Sequence, residues 1–235
     1  MRALVSVKSA TGLGLYWCAM RDGQLTGPLP TASSWHGSRP LGADGFLAVD
    51  VETANTNPSS ICQIAVVRFE RGAAVDIWHS FIDPGEPFAA LNIALHGIDE
   101  TAVANAPDFP QIIEALSERL SGNVVATHMP FDRIAVQSAL AKHCAAPFQC
   151  SWLDTASVAR RAWPRFAKRG YGLKSLAAWC SIDLRHHDAV EDARAAGLIF
   201  AKAMADTGTN VGEWTAELSQ TKTSESRVRL AERDR

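Results

Sequence analysis

The sequence predicts an α/β domain in which helices flank a mixed five-stranded sheet. Three apolar runs joined by short links, Phe46–Val51, Ile61–Glu70 and Ala73–Ile82, indicate an antiparallel meander. Short β-rich runs that alternate with helical patterns follow, and they indicate further strands added in parallel. The order of these signals along the chain therefore predicts both the class and the mixed character of the sheet.

Composition is that of a globular chain without a membrane segment. The 235 residues are 47% hydrophobic and 20% charged, which is enough apolar surface for a sizeable core. No apolar run reaches the ~18 residues that a membrane helix needs. The five cysteines are scattered, odd in number and without a CxxC pair, so we expect reduced thiols and a cytoplasmic location. The net charge of −2 means that nucleic-acid contact would require a local basic patch.

The chain divides into three regions. Residues 1–42 are predicted to be an N-terminal arm of unknown role, with short strands at Arg2–Ser9 and Leu13–Met20 and a Gly-, Pro- and Ser-rich link to the domain. Residues 43–210 are predicted to be the single main domain. Residues 215–235 are polar and charged, and we predict a disordered tail there.

Turn and cap residues place the elements of the main domain. Arg71-Gly72 indicates a tight hairpin turn, and Asn123–Thr127 and Ser151–Asp154 supply the fourth and fifth strands. Asp108 is a candidate N-cap residue, and Gly122 marks the end of the helix that Asp108 begins. Helices are predicted at Ala89–His96, Asp99–Ala104, Phe109–Leu120, Phe131–His143, Thr155–Trp163, Leu173–Cys180 and Val190–Met204. The last of these is rich in alanine, which would let it lie close to the sheet.

Two carboxylates end the first strand of the domain. Asp50 and Glu52 are two residues apart, so their side chains leave the strand on one face while Val51 points to the other. Adjacent anions repel each other, and oxygen ligands favour a hard cation such as Mg²⁺ or Mn²⁺. This pattern predicts half of a metal site, although a strand that ends at solvent would look the same.

Two further acids begin helices. Asp132 opens a helix after the fourth strand, at the carboxyl end where open α/β sheets place their sites. Asp192 lies in the first turn of the alanine-rich helix. Each acid alone is better explained by the helix dipole, which favours anions at helix N-termini.

His187 precedes Asp192 by five residues and could lie over a site that contains Asp192. Neutral imidazole is a suitable general base near pH 7, whereas a surface loop histidine is the simpler interpretation of the residue alone. Four carboxylates that converge on one point require bound cations. Two divalent ions and a histidine base would together hydrolyse a phosphodiester.

These motifs resemble those of the DEDDh 3′–5′ exonucleases, a family that includes the epsilon subunit of bacterial DNA polymerase III and ribonuclease T. The likeness spans residues 46–205. It rests on Val49-Asp50-Val51-Glu52-Thr53, on Thr127-His128-Met129-Pro130-Phe131-Asp132 and on His187-Asp188-Ala189-Val190-Glu191-Asp192, with support from Leu95-His96-Gly97-Ile98, Leu153-Asp154-Thr155 and Leu173-Lys174-Ser175-Leu176.

The resemblance implies a ribonuclease H-like fold and a two-metal site. The metal ligands would be Asp50, Glu52, Asp132 and Asp192, which would hold two Mg²⁺ or Mn²⁺ ions. His187 would be the general base, so the catalytic set is these four acids and His187. The product would be a nucleoside 5′-monophosphate.

The resemblance also implies substrate contacts. Thr53 would contact the terminal nucleotide through its backbone, and His96 and Phe131 would flank the 3′ nucleotide. His128 stands where the family usually has asparagine. Histidine can still donate a hydrogen bond, so we expect activity with altered local contacts and substrate preference.

A basic stretch lies between the second and third motifs. Residues 155–182 contain no Asp or Glu, and their cations are Arg160, Arg161, Arg165, Lys168, Arg169 and Lys174, interleaved with Trp163, Phe166 and Tyr171. Phosphates favour Arg and Lys, and bases stack on aromatic rings, so this stretch is a candidate nucleic-acid rim. The alternative is a solvated face with the aromatic side chains in the core.

Three functions fit the sequence. The leading one is a metal-dependent 3′–5′ exonuclease acting on single-stranded DNA. The same chemistry could trim RNA 3′ ends, since the sequence does not show how the site treats a 2′-hydroxyl. A non-catalytic nucleic-acid-binding module or polymerase accessory protein would keep the fold without the reaction. The sequence leaves open a homodimer and an association with a polymerase.

Overall fold

In the computed structural model, residues 2–9, 12–21, 24–26, 41–185 and 187–220 are described. Near the N-terminus, β1 (Arg2–Ser9), β2 (Gly12–Arg21) and β3 (Gln24–Thr26) form an antiparallel sheet in the order β1-β2-β3. The predicted strand at Arg2–Ser9 is present, and the second predicted strand is slightly longer than expected. Most of the predicted Gly-, Pro- and Ser-rich link lies outside the described residues.

The main domain is built on a mixed five-stranded sheet, as predicted. The strands lie in the order β6-β5-β4-β7-β8. They are β4 (Phe46–Thr53), β5 (Ile61–Glu70), β6 (Ala73–Phe81), β7 (Val124–Thr127) and β8 (Ser151–Asp154). Strands β4, β5 and β6 form the antiparallel meander, whereas β7 and β8 add in parallel on the other side of β4.

Each predicted helix is present, with ends that differ by at most three residues. The helices are α1 (Ala90–His96), α2 (Glu100–Val103), α3 (Phe109–Leu120), α4 (Phe131–Lys142), α5 (Thr155–Ala162), α6 (Leu173–Trp179) and α7 (Ala189–Thr207), and a 3₁₀ turn follows α5 at Pro164–Phe166. Asp108 caps α3 with a capping box that is completed by Gln111, which confirms the predicted start of this helix.

One helix was not predicted. Residues 211–220 are helical (α8), and Val211, Trp214 and Leu218 from this helix are buried in the core. The prediction that a tail begins at residue 215 is therefore wrong for residues 215–220, because three apolar side chains spaced at helical intervals outweigh the polar composition around them. Residues 221–235 lie outside the described part of the chain.

Strand β4 separates two halves of the core. Phe46 and Ala48 face a cluster formed with α5, α6, α7 and α8, whereas Leu47 and Val49 face a cluster formed with α3 and α4. Side chains alternate along a strand, so Asp50 and Glu52 continue the row of Phe46 and Ala48. Both carboxylates therefore emerge on the face that α7 covers.

Helix α7 packs very closely on the sheet. A Cβ atom added to Gly197 would lie 2.1 Å from Cε2 of Phe69, which is far inside van der Waals contact. The Phe69 ring stacks on Phe46 with centroids 4.8 Å apart, and Phe46 meets Phe200 edge to face at 4.7 Å. Only glycine at position 197 lets α7 approach the aromatic layer, as the small residues of the helix predicted.

Within the described part of the chain, every helix is too short or too polar to cross a membrane.

We predict that Gly197→Ala destabilises the domain. Alanine favours a helix over glycine by about 1 kcal/mol, but the added methyl group must displace the Phe69 ring, and overpacking of this kind costs about 1–3 kcal/mol. The net change expected is a loss of stability, measured as a lower midpoint in urea denaturation.

Gly212→Ala is the matched control. Gly212 is an exposed helical residue whose added Cβ would lie 3.4 Å from Oδ1 of Asn210, an ordinary contact. The same substitution should therefore be neutral or stabilising there. Equal effects of the two substitutions would contradict the close packing of α7 on Phe69.

Candidate active site

The predicted acids meet at one edge of the sheet. Strands β4, β7 and β8 are parallel, so their carboxyl ends lie along the same edge. Asp50 and Glu52 occupy the end of β4, α4 with Asp132 begins just after β7, and α7 brings Asp192 onto the same face of β4. Burial raises the pKa of Asp50, and the charges of Asp132, Asp192 and Glu52 raise it further, as expected for four carboxylates that lie close together.

Asp132 is fixed by the backbone of β4. Its side chain is buried, and the Val51 N–H donates a hydrogen bond to Asp132 Oδ1 over 3.3 Å. The pairing of β4 with β7 covers only Leu47 and Ala48 of β4, so the two strands separate before they reach the acids. The carboxylate of Asp132 occupies the gap and replaces the lost strand partner of Val51.

Asp192 holds the segment that carries His187. The backbone N–H of His187 donates to Asp192 Oδ2 over 3.1 Å, and His187 has a left-handed conformation with φ 70°. Asp188 caps α7 by accepting a hydrogen bond from the Val190 N–H. One His187 ring nitrogen and one oxygen each of Glu52 and Asp192 lie within 4.8 Å of one another. The third motif thus places the imidazole beside the carboxylates, as expected.

The carboxylates repel one another in a buried environment. Burial, followed by the charges of Asp192 and Asp132, raises the pKa of Glu52 to about 8. Burial also raises the pKa of Asp132 to about 7, although the hydrogen bond from the Val51 N–H opposes the rise. Burial and the neighbouring acids raise the pKa of Asp50 well above its usual value.

These residues fit a divalent cation. Buried acids that retain protons near neutral pH gain most when a cation replaces the protons. The donors are carboxylate oxygens with one imidazole nitrogen nearby, and such oxygen-rich sets suit hard ions. Of the described residues, Glu52, His187 and Asp192 form a group compact enough to hold one ion, with Asp50 and Asp132 adjoining it.

The end of β4 is held by helix α1. The carbonyl of Thr53 accepts hydrogen bonds from Asn92 Nδ2 at 2.8 Å and from His96 Nε2 at 3.1 Å. The Ile98 N–H donates to His96 Nδ1, so the proton of the neutral ring lies on Nε2. Burial lowers the pKa of His96, which agrees with a neutral ring. His96 therefore fixes Thr53, and only its ring face remains for a nucleotide.

The loop before α4 presents apolar side chains to solvent. Met129 and Phe131 are 41% and 45% exposed. Met129 adopts φ 72°, and its N–H donates to Asp154 Oδ1 over 2.9 Å. Asp154 also caps α5 by accepting from the Ala156 N–H, so one carboxylate supports both the helix and the loop. Phe131 is thus an exposed aromatic ring next to Asp132, at the position predicted to flank a nucleotide.

The His128 ring contacts protein groups through both of its nitrogens. Its Nε2 lies 2.9 Å from the Tyr171 carbonyl, which can only accept, and its Nδ1 lies 2.8 Å from Thr155 Oγ1. Both ring nitrogens are engaged with protein groups, so in this arrangement His128 does not offer a ring N–H to substrate. The ring joins the second motif to the segment before α6.

The sequence interpretation missed several supporting residues. Asn92 bonds the Thr53 carbonyl, Asp154 supports Met129, and Gln63 Oε1 accepts from the Ala189 N–H at 3.4 Å, which ties the start of α7 to the strand beside Glu52. An acid just before a predicted helix is a cap signal, so the role of Asp154 was accessible from the sequence. No local pattern marks Asn92 or Gln63, because their partners are distant in the chain.

Comparison with known proteins assigns the domain to a family. Residues 47–200 match the RNase_T family model, which is described as exonuclease. The chain belongs to this exonuclease family. The RNase_T match spans all three motifs and the described active-site edge, so the domain is a nuclease of a divalent-metal-dependent family.

Curated relatives of this RNase_T domain are bacterial DNA polymerases of the PolC type. The DNA polymerase III of Caldanaerobacter subterraneus subsp. tengcongensis is 29% identical over 68% of this chain, and that of Streptococcus thermophilus is 29% identical over 79%. The matched segments span only 11% and 13% of those polymerases. The likeness thus concerns one segment of much longer proteins.

Solved exonuclease structures share the fold. Exonuclease X in complex with 5′-overhanging duplex DNA superposes with a TM-score of 0.58 at 20% identity, covering 73% of this chain and 98% of that one. Exonuclease I superposes with a TM-score of 0.61 at 18% identity, covering 75% of this chain and 43% of that one. The predicted ribonuclease H-like fold is thereby confirmed.

We predict that Glu52→Gln stabilises the metal-free protein at alkaline pH. The folded pKa of Glu52 is about 8, above the 4.5 of an ordinary glutamate, so the folded state binds the extra proton. Wild-type stability should therefore be fully present below pH 4.5 and fall as pH rises towards 8. The variant lacks this loss, and we expect it to be more stable than wild type by about 1–3 kcal/mol at pH 8.5 in EDTA.

Urea denaturation at pH 5, 7 and 8.5 measures this effect, with Glu114→Gln as the control because Glu114 is an exposed glutamate on α3. The advantage of Glu52→Gln should shrink towards pH 5, and Mg²⁺ should stabilise wild type more than the variant. A pH-independent difference between wild type and Glu52→Gln would contradict the raised pKa of Glu52 in the folded protein.

Proposed function

We propose that this domain is a 3′–5′ exonuclease that removes nucleotides from single-stranded DNA and releases nucleoside 5′-monophosphates. The observation that carries the proposal is the convergence of four repelling carboxylates with His187 at one edge of the sheet. Such a cluster is costly unless cations bind, and phosphodiester hydrolysis is the reaction that paired cations serve best. Membership of the RNase_T family supports the same reaction class.

In this proposal four acids hold two Mg²⁺ or Mn²⁺ ions: Asp50, Glu52, Asp132 and Asp192. When bound, the ions would lower the pKa of the attacking water and neutralise charge on the transferred phosphoryl group. The acids are positioned before binding, because Val51 fixes Asp132 and the backbone of His187 fixes Asp192. Folding of the protein thus positions the carboxylates, so metal binding would not have to order them.

His187 is proposed as the general base. Its imidazole is adjacent to Glu52 and Asp192, and its backbone is held in the left-handed conformation at the start of α7. Neutral imidazole would accept the proton of the water that attacks the terminal phosphodiester. Anionic neighbours would then stabilise the imidazolium that forms.

The terminal nucleotide is proposed to lie between α1 and the start of α4. Phe131 offers an exposed ring from one side, and the face of His96 lies on the other side above the fixed backbone of Thr53. Stacking on such rings contributes about 1–3 kcal/mol per base and tolerates any sequence. The carbonyl of Thr53 is already bonded twice, so a contact from Thr53 would use its remaining backbone atoms.

Two observations bear on the nucleic acid. The curated relatives are DNA polymerases, which favours DNA and also a setting in which the domain acts beside a polymerase. A structural neighbour at TM-score 0.58 is a 3′-exonuclease that recognises a histone mRNA stem-loop, which keeps RNA trimming as the second candidate. A purely binding role is disfavoured because all four acids and His187 are present at the site.

We predict that Asp50→Ala and His187→Ala each reduce nucleotide release by at least about a hundredfold, the scale expected for loss of a general base or metal ligand. The assay uses 5′-labelled single-stranded DNA and RNA of matched sequence with Mg²⁺, Mn²⁺ or EDTA. Wild type should shorten the DNA from the 3′ end in either metal and leave it intact in EDTA.

His143→Ala is the matched histidine control, because His143 is exposed at the end of α4 and should retain wild-type rates. Thermal unfolding of each variant separates loss of activity from loss of fold. Wild-type rates in both site variants would refute the assignment of the residues. A faster ladder on RNA than on DNA would replace the first candidate substrate with the second.

A further inference from the structure

The segment between α5 and α6, with the adjoining ends of both helices, forms a cationic surface. Lys168, Arg169 and Lys174 are exposed, and Arg165 and Arg161 are exposed nearby. The aromatic side chains of the stretch have another role, because Trp163 and Phe166 are buried and meet Trp179 edge to face. The alternative that these two rings belong to the core is therefore correct. The cations remain at the surface.

Most of these cations have no carboxylate partner. Among the described residues, Arg161 pairs with Glu217 at 3.5 Å, whereas Lys168, Arg169 and Lys174 form no ion pair. Arg160 is used internally, since its guanidinium lies 5.0 Å from the Tyr171 ring centroid and its Nε donates to the Ala167 carbonyl. The positive charge of the loop is thus uncompensated, and an anionic partner would bind without displacing another anion.

The loop is tied to the active-site edge. His128, four residues before Asp132, contacts the Tyr171 carbonyl at 2.9 Å and the Thr155 hydroxyl at 2.8 Å. Arg160 spans the loop by its contacts with Ala167 and Tyr171. The two anchors hold Lys168 and Arg169 between them. The loop therefore has a fixed relation to the second motif.

The loop also lies on the correct face. Tyr171 and Leu173 pack in the core cluster that contains Phe46 and Ala48, which is the face from which Asp50 and Glu52 emerge. Strand β8, which leads into this segment, is the second neighbour of β4 along the active-site edge. Helix α5 leads the chain away from this edge, and the contact between the Tyr171 carbonyl and His128 of the second motif brings the end of the loop back to it.

We propose that the segment 165–174 is a track for the phosphate backbone of the single strand being shortened, on the 5′ side of the scissile bond. Lys168, Arg169 and Lys174 contact phosphates without reading bases or the 2′-hydroxyl, so the track serves DNA and RNA alike. His128 is a positioning residue that holds this track beside the acids. The placement of the track on the 5′ side of the scissile bond rests on the proposed function. The binding test of the track does not depend on that function.

Binding of 5′-fluorescein-labelled dT20 in EDTA tests the track without turnover. Lys168→Gln/Arg169→Gln should weaken binding roughly tenfold at moderate salt. The slope of log Kd against log salt should fall by about 1.4, since each lost phosphate contact on a single strand contributes about 0.7.

Arg71→Gln is the matched control for Arg169→Gln. Arg71, like Arg169, is an exposed arginine followed by a glycine with positive φ, but it lies in the β5–β6 turn. That turn is beside Phe46, at the edge of the sheet opposite the acids. Arg71→Gln should leave both the affinity and the salt slope unchanged. Equal losses in Arg71→Gln and Arg169→Gln would overturn the track.

Hydrolysis of the p-nitrophenyl ester of thymidine 5′-monophosphate separates the two proposals. The ester has no upstream phosphates, so Lys168→Gln/Arg169→Gln should hydrolyse it at the wild-type rate while its KM for dT20 rises. Ester hydrolysis with unchanged dT20 binding in the double variant would refute the track and keep the exonuclease. If the double variant binds dT20 more weakly than wild type, but wild type hydrolyses neither substrate, the exonuclease would be refuted and the track would be kept.

Discussion

Repulsion among four acids at the end of β4 governs this structure. Asp50 and Glu52 cannot be moved apart, because residues two apart on one strand place their side chains next to each other on the same face. Burial removes the water that would screen them and raises their pKa values. In the metal-free domain, bound protons reduce the repulsion among the acids. Bound cations would neutralise the carboxylates instead, so the repulsion that destabilises the empty site would also favour cation binding.

The fold positions the acids and the end of β4 through hydrogen bonds in which one partner is a backbone group. The Val51 N–H binds Asp132, the His187 N–H binds Asp192, and Asn92 and His96 bind the carbonyl of Thr53. Backbone groups cannot change rotamer, so they position carboxylates more rigidly than side chains would. The close packing of α7 on Phe69 serves the same end, since it fixes the distance between Asp192 and the sheet.

Much of this arrangement was predictable from the sequence, because it depends on local periodicity and motif order. The i, i+2 spacing of Asp50 and Glu52 and the helix starts at Asp132 and Asp192 predicted which acids share an edge. The joint order of the motifs, rather than any single acid, predicted the family.

The parts that could not be predicted depend on contacts distant in sequence. Whether the His128 ring faces substrate or the protein depends on Thr155 and Tyr171, which lie 27 and 43 positions away. Helix α8 escaped notice because its buried residues, Val211, Trp214 and Leu218, are separated by polar residues that composition alone assigns to solvent. In both cases the outcome depends on tertiary contacts that the local sequence does not show.

The hydrogen bond between the Val51 N–H and Asp132 gives the second motif a structural role in the sheet. Where β4 and β7 separate, the Asp132 carboxylate accepts a hydrogen bond from the Val51 N–H and so replaces the missing strand partner. In the proposed metal site, Asp132 would be a ligand that also takes part in the hydrogen bonding of the sheet. Loss of Asp132 would leave the buried Val51 N–H, near the end of the central strand, without its hydrogen-bond partner, so this acid supports the fold as well as the proposed site.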